Sequence, residues 1–141
     1  MRYLIALLTF VSLAACKTPE IIQYEYKSTT MLGSRKVTVT KDSVISVYNG
    51  RMDANRQARK TTPEEWEALK NSANNINLEE IRDLPSPTNR RATDAAPFGS
   101  LLLTTKDSTY RSASFDGFDS HEMLQPLMDV MKEIANSVSQ R

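Results

Sequence analysis

The chain has little of what most catalytic or metal-binding domains are built from. It holds one cysteine and one histidine, and four glycines that stand apart at positions 33, 50, 99 and 117. A single cysteine excludes an internal disulfide framework. One histidine without a free thiol cluster is poor material for zinc, and isolated glycines cannot make a phosphate-cradling loop. No Gly-x-Ser-x-Gly elbow marks a serine nucleophile. An excess of one charge is missing too: 18 basic residues face 17 acidic ones. That balance argues against a general nucleic-acid binder and against a polybasic membrane patch. Beyond residue 13 there is no long apolar run, so nothing later in the chain reads as a transmembrane helix.

What is present begins at the front. Arg2 precedes an apolar stretch from Leu4 to Leu13, broken only by Thr9 and Ser12, and Ala14-Ala15 close it. A charged start, a short apolar middle and small residues at the end have the order of a secretory signal. The segment Leu13-Ala14-Ala15-Cys16 resembles the lipobox of bacterial lipoproteins. That resemblance implies a diacylglyceryl group on Cys16, cleavage just before it, and an acylated new amino terminus. Several acyl chains, at about 0.8 kcal/mol per buried methylene, would hold the protein stably to a membrane. Cleavage would leave 126 residues with 17 basic and 17 acidic side chains. The expected organisation is a signal over 1–15, a lipidated cysteine and tether over 16–20, and a single domain over 21–141. Lys17, where a retained inner-membrane lipoprotein of some proteobacteria has aspartate, points to the outer membrane, facing periplasm or cell surface.

Period-two alternation predicts a strand over Ile21 to Lys27 with Ile22, Tyr24 and Tyr26 on one side. Leu32-Gly33-Ser34 supplies a turn, and two further strands, Lys36 to Thr40 and Val44 to Tyr48, flank a tight turn at Lys41-Asp42. Asn49-Gly50 leads into an arginine-bearing stretch that reads as a ragged edge strand or a loop. Thr62-Pro63-Glu64-Glu65 is a capping box followed by Trp66, Leu69 and Ala73 at helical spacing, ending near Asn74-Asn75. A short helical piece from Leu78 is stopped by Pro85. Ser100 to Thr105 and Thr109 to Phe115 are expected to form a second hairpin around Lys106-Asp107. A last element from about Ser120 to Ser137 carries Met123, Leu124, Leu127, Met128, Met131, Ile134 and Val138 as an apolar stripe, its main helix starting at or near Pro126. Thr40-Lys41-Asp42-Ser43 and Thr105-Lys106-Asp107-Ser108 are identical, which fits either a duplicated unit or the same turn chemistry selected twice. The element order predicts an α+β fold: an antiparallel sheet with two helices packed on one face.

Three groups are candidates for chemistry. Asp116 to Glu122 gathers carboxylates and the only histidine, but its spacing fits neither a calcium loop nor zinc. It reads as a turn at Asp116-Gly117, with Asp119 or Ser120 capping the last helix. Arg51, Arg56, Arg59 and Lys60 read as solvated loop charge. The loop from Pro85 to Gly99 is long enough to suggest a role. Arg90 and Arg91 stand a turn's length from Asp94, and Phe98 is placed to plug the loop into the core. These three charged residues are the expected partner contact, or else an Arg-Asp lock.

The pattern Trp66 with Leu69, Pro87-Thr88 with Arg91, Asp94-Ala95, Tyr110-Arg111-Ser112, Phe115-Asp116, and Leu127 with Ile134 resembles a group of small lipoproteins typical of Bacteroidota. The resemblance spans somewhat over half of the mature chain and implies an α+β lipoprotein with no assigned activity. At Gly117 to Ser120 the chain departs from that group, where a histidine-glycine-proline-proline turn is usual. In element order the chain also resembles emfourin-type metalloprotease inhibitors, without a transferable inhibitory motif. The expectation is a lipid-anchored, non-enzymatic envelope protein that binds another protein or a surface component. Its alternative is an inhibitor of an envelope or secreted protease, and a hydrolase comes last. Neither reading brings a cofactor, metal, nucleic acid or small-molecule substrate.

Overall fold

The computed structural model describes residues 18–139. Leu13, Ala14, Ala15 and Cys16, with the rest of the expected signal, lie outside the described residues. Four strands form a meander, β1 (Ile21–Thr30), β2 (Gly33–Thr40), β3 (Ser43–Gly50) and β4 (Ala54–Lys60). Helix α1 (Pro63–Ala73) and two short 3₁₀ turns (Leu78–Asp83, Arg90–Thr93) follow, then β5 (Phe98–Thr105), β6 (Thr109–Arg111), β7 (Phe115–Asp116) and α2 (Gln125–Ser139). The sheet order is β4-β3-β2-β1-β5-β6, with β7 also on β5, and all pairs are antiparallel. This is the α+β class expected.

Alternation decides the two faces of the sheet. Tyr24 and Tyr26, Val37 and Val39, Val44, and Leu101 and Leu103 all point to one side and are buried. Both helices cover that side. Trp66 of α1 meets Tyr24 edge to face, with ring centroids 5.6 Å apart. In α2, Leu127, Met128 and Met131 are fully buried, each contributing roughly 2 kcal/mol. Arg35 reaches from β2 to the end of α2. There its guanidinium donates to the Ala135 carbonyl and to the Ser139 hydroxyl, tying the sheet to the helix. The described core runs from Ile21 to Val138, and among the described residues no buried side-chain polar atom lacks a partner. Residues 18–139 therefore close a core of their own. No helix among them is long and apolar enough to cross a membrane.

Helix α1 begins as expected: the Thr62 hydroxyl accepts from the Glu65 amide, and the Glu65 carboxylate accepts from the Thr62 amide. The two identical tetrapeptides make the same turn. Thr40 Oγ1 accepts from the Ser43 amide at 3.2 Å, and Thr105 Oγ1 from the Ser108 amide at 3.1 Å.

Several expectations are corrected. Ile22 is not in the core, because β1 shifts register between Ile21 and Gln23. This irregularity leaves Ile21 buried and Ile22 exposed. The first hairpin turns at Met31-Leu32, with Gly33 already paired to Thr30. Of the two readings of the arginine-bearing stretch the edge strand is the one formed, paired with β3 from Ser43↔Lys60 to Asn49↔Ala54, so Arg56, Arg59 and Lys60 are strand rather than loop charges. The hairpin after Lys106-Asp107 breaks at Ser112, whose hydroxyl accepts from the Leu101 amide. Met123 is exposed and lies before α2. Neither Asp119 nor Ser120 caps α2. The carbonyl and Nδ1 of His121 take the amides of that turn, and Ser120 bonds Gln125.

Candidate functional site

The loop after Pro85 is organised by Asp116, which stands on β7 and is buried. Its carboxylate accepts from the Thr88 hydroxyl, the Arg90 amide at 2.6 Å, the Arg91 amide at 3.0 Å and the Arg91 guanidinium at 2.9 Å. Burial pushes the Asp116 carboxyl up, but these donors outweigh it and hold the group well below the usual carboxylate range. Arg91 is spent on this clamp; its side chain is 15% exposed. Arg90 keeps 54% of its side chain in solvent and pairs with Asp119. The oxygens that a metal would need at Asp116 are therefore occupied by protein donors.

The expected Arg-Asp lock exists with a different partner. Among the described residues, the Arg90 and Arg91 side chains bond Asp119, Asp116, Ser86 and Thr88 rather than Asp94. Asp94 ends the 3₁₀ turn in a left-handed conformation (φ 56°), its amide donating to the Arg90 and Arg91 carbonyls. Aspartate tolerates that conformation better than most residues.

Beyond Asp94 the chain returns to the sheet under tight constraint. The Gly117 amide donates to Pro97, and the Gly117 carbonyl accepts from the Tyr26 hydroxyl at 2.7 Å. A Cβ on Gly99 would lie 2.1 Å from that carbonyl, so no side chain fits there. Tyr26 stacks on Phe118 with centroids 4.1 Å apart, and burial pushes its hydroxyl up to about 12. Phe98 cannot plug the core from this position. It pairs with Thr29 on the opposite side of the sheet and is 48% exposed.

Phe98 instead closes one wall of a groove. Asp94 to Phe98 form one side and Thr29 to Leu32 the other, around about 490 Å³. Met31 and Leu32, at the hairpin tip, are 70% and 69% exposed. The Arg51 amide donates to the Leu32 carbonyl, which sets the turn carrying Met52 beside the tip. Scattered exposed apolar residues are ordinary; here Met31, Leu32, Met52 and Phe98 gather at one end of the sheet. Of the expected contact residues, only Asp94 lines the groove; the Arg90 and Arg91 carbonyls accept from the Ala95 and Asp94 amides of its wall. Sequence reasoning missed Met31 and Leu32. Their signal was two adjacent apolar residues at a hairpin tip, where turn chemistry selects neither.

Among the described residues, no three histidine, cysteine or acidic side chains are gathered closely enough to hold a metal ion. No family model matches the chain, and no curated protein matches it in sequence.

Proposed function

We propose that this protein is a lipid-anchored, non-enzymatic component of the bacterial envelope, and that its domain binds a second envelope protein through the groove between Met31-Leu32 and Ala95-Phe98. The observation that carries the binding role is the collection of exposed apolar side chains at one end of a rigid sheet, backed by the Asp116 clamp. The anchor rests on Leu13-Ala14-Ala15-Cys16 following a short apolar run. The two are compatible in space. β1 starts between the Lys41-Asp42 and Lys106-Asp107 turns and ends at the groove, about 30 Å away at strand rise. A tether on Cys16 would enter at one end and leave the groove at the other.

The test has two parts. Mass spectrometry and membrane fractionation of the full chain and of Cys16→Ser should show acyl mass and membrane attachment lost together. A photo-crosslinker at Leu32 should then trap one discrete partner in intact envelopes, and Phe98→Ser should abolish that band. A crosslinker at Leu32 that yields only background in envelopes containing correctly anchored protein sinks the binding role.

A further inference from the structure

Formal neutrality hides a separation of charge that only the strand register reveals. On the side of the sheet away from the helices, Arg56, Val47, Lys36, Lys27 and Ser100 lie in one row across β4, β3, β2, β1 and β5. Lys60 and Arg111 project from the same side, and all five basic residues are exposed. Across these six strands, Glu25 is the only acidic residue on that side, 4.0 Å from Lys36. Charges on β4 are expected of an edge strand guarding against aggregation. Lys27 and Lys36 are different. They belong to the two central strands and face each other as direct cross-strand partners, an arrangement that destabilises a sheet. Placing like charges together at the middle of an open face has a use when an anionic surface lies against it.

We propose that this open face rests on the anionic phospholipid headgroups of the membrane that carries the protein. The place of the surface rests on the lipid-anchor reading. A tether over 16–20 spans at most about 18 Å, so the domain is held against the headgroup layer. Serine and threonine share the face with its cations, together with the partly buried Ile45, Val47 and Leu102. Single-stranded nucleic acid would call for aromatic platforms on which bases stack, and Phe98 at the groove's rim is the one aromatic side chain on this side of the six strands. In this pose the groove opens at the rim of the docked face, so a partner reaching it lies at the same membrane surface.

The experiment uses the chain from Lys17 onward, since residues 18–139 close their own core, with sedimentation on phosphatidylglycerol-phosphatidylcholine vesicles and on pure phosphatidylcholine. Binding is expected to the anionic vesicles alone and to fall as salt rises. The triple variant Lys27→Gln, Lys36→Gln, Arg56→Gln should weaken it on the order of 100-fold at low salt, since each cation near such a surface contributes about fivefold. Its thermal transition should be unchanged or raised. Equal binding by the triple variant, no preference for anionic vesicles, or displacement by a single-stranded oligonucleotide more readily than by phosphatidylglycerol would each overturn the assignment. As a second measurement, the full lipidated chain in vesicles should show Lys27 and Lys36 acetylated more slowly when phosphatidylglycerol is present; equal rates count against the pose. The mass of Cys16 is read separately, so a failed anchor and a failed docking face give different results.

Discussion

Two arginine-carboxylate clamps hold this domain, and they are built on different scales. Arg59 grips Glu65 through two parallel bonds of 2.8 and 2.7 Å, six residues apart, at the start of α1. Arg91 grips Asp116 across 25 residues, and there the carboxylate is fully buried and also collects two backbone amides and the Thr88 hydroxyl. The first clamp holds the Glu65 of the capping box that starts α1, and Arg59 also donates to the Ser137 hydroxyl of α2. The second replaces secondary structure as the organiser of the loop. A buried carboxylate with backbone donors can do for a loop what a hydrogen-bond ladder does for a strand, and it fails all at once when removed.

Removing Asp116 should therefore give the largest loss. In Asp116→Ala, amide exchange over residues 86–94 is expected to rise to the rate of an open loop, and the melting temperature to fall further than in any other variant named here. Arg91→Ala leaves the carboxylate buried with fewer donors and should cost about 3 kcal/mol in urea unfolding. Arg59→Ala and Thr62→Ala each remove one element of the α1 start and should cost about 1 kcal/mol. If Arg59→Ala proves as costly as Arg91→Ala, the difference in scale between the clamps is wrong. Asp94→Gly should be the smallest change, within about 0.5 kcal/mol, because glycine adopts the left-handed conformation freely.

Acid separates the clamps as well. Hydrogen bonding from Arg59 holds the Glu65 carboxyl below its usual range against a smaller upward effect of burial, and Asp116 is held lower still. Each folded-state pKa lies below its unfolded value of about 4. The stabilisation is thus present above that value and is lost as pH falls through the depressed one. Carboxyl chemical shifts followed downward in pH should show Glu65 protonating first and Asp116 last. The reverse order would mean that the buried donors do not outweigh desolvation at Asp116.

Much of the frame is readable one segment at a time. The capping box at Thr62-Glu65, the turns at Lys41-Asp42 and Lys106-Asp107, the start of α2 near Pro126 and the α+β class all follow from local chemistry within a few residues. The errors share a cause. Nearness in sequence matches Arg90 and Arg91 to Asp94, while their partners, Asp116 and Asp119, come alongside only when β7 pairs with β5. Its size and place at the end of the loop put Phe98 in the core, yet the pairing Thr29↔Phe98 turns it outward. Ile22 fits the alternation until the irregularity after Ile21 displaces it.

The sequence by itself determined the α+β class, the start of α1 and, outside the irregularity in β1, which side chains of a strand share a face, because those depend on bonds and periods along the chain. Only the tertiary structure decided which carboxylate each arginine meets, that Met31, Leu32 and Phe98 surround one groove, and that Lys27, Lys36 and Arg56 stand in one row. Each of these depends on register between strands distant in sequence, and a shift of one residue would turn Lys27, Lys36, Arg56 and Phe98 to the other face.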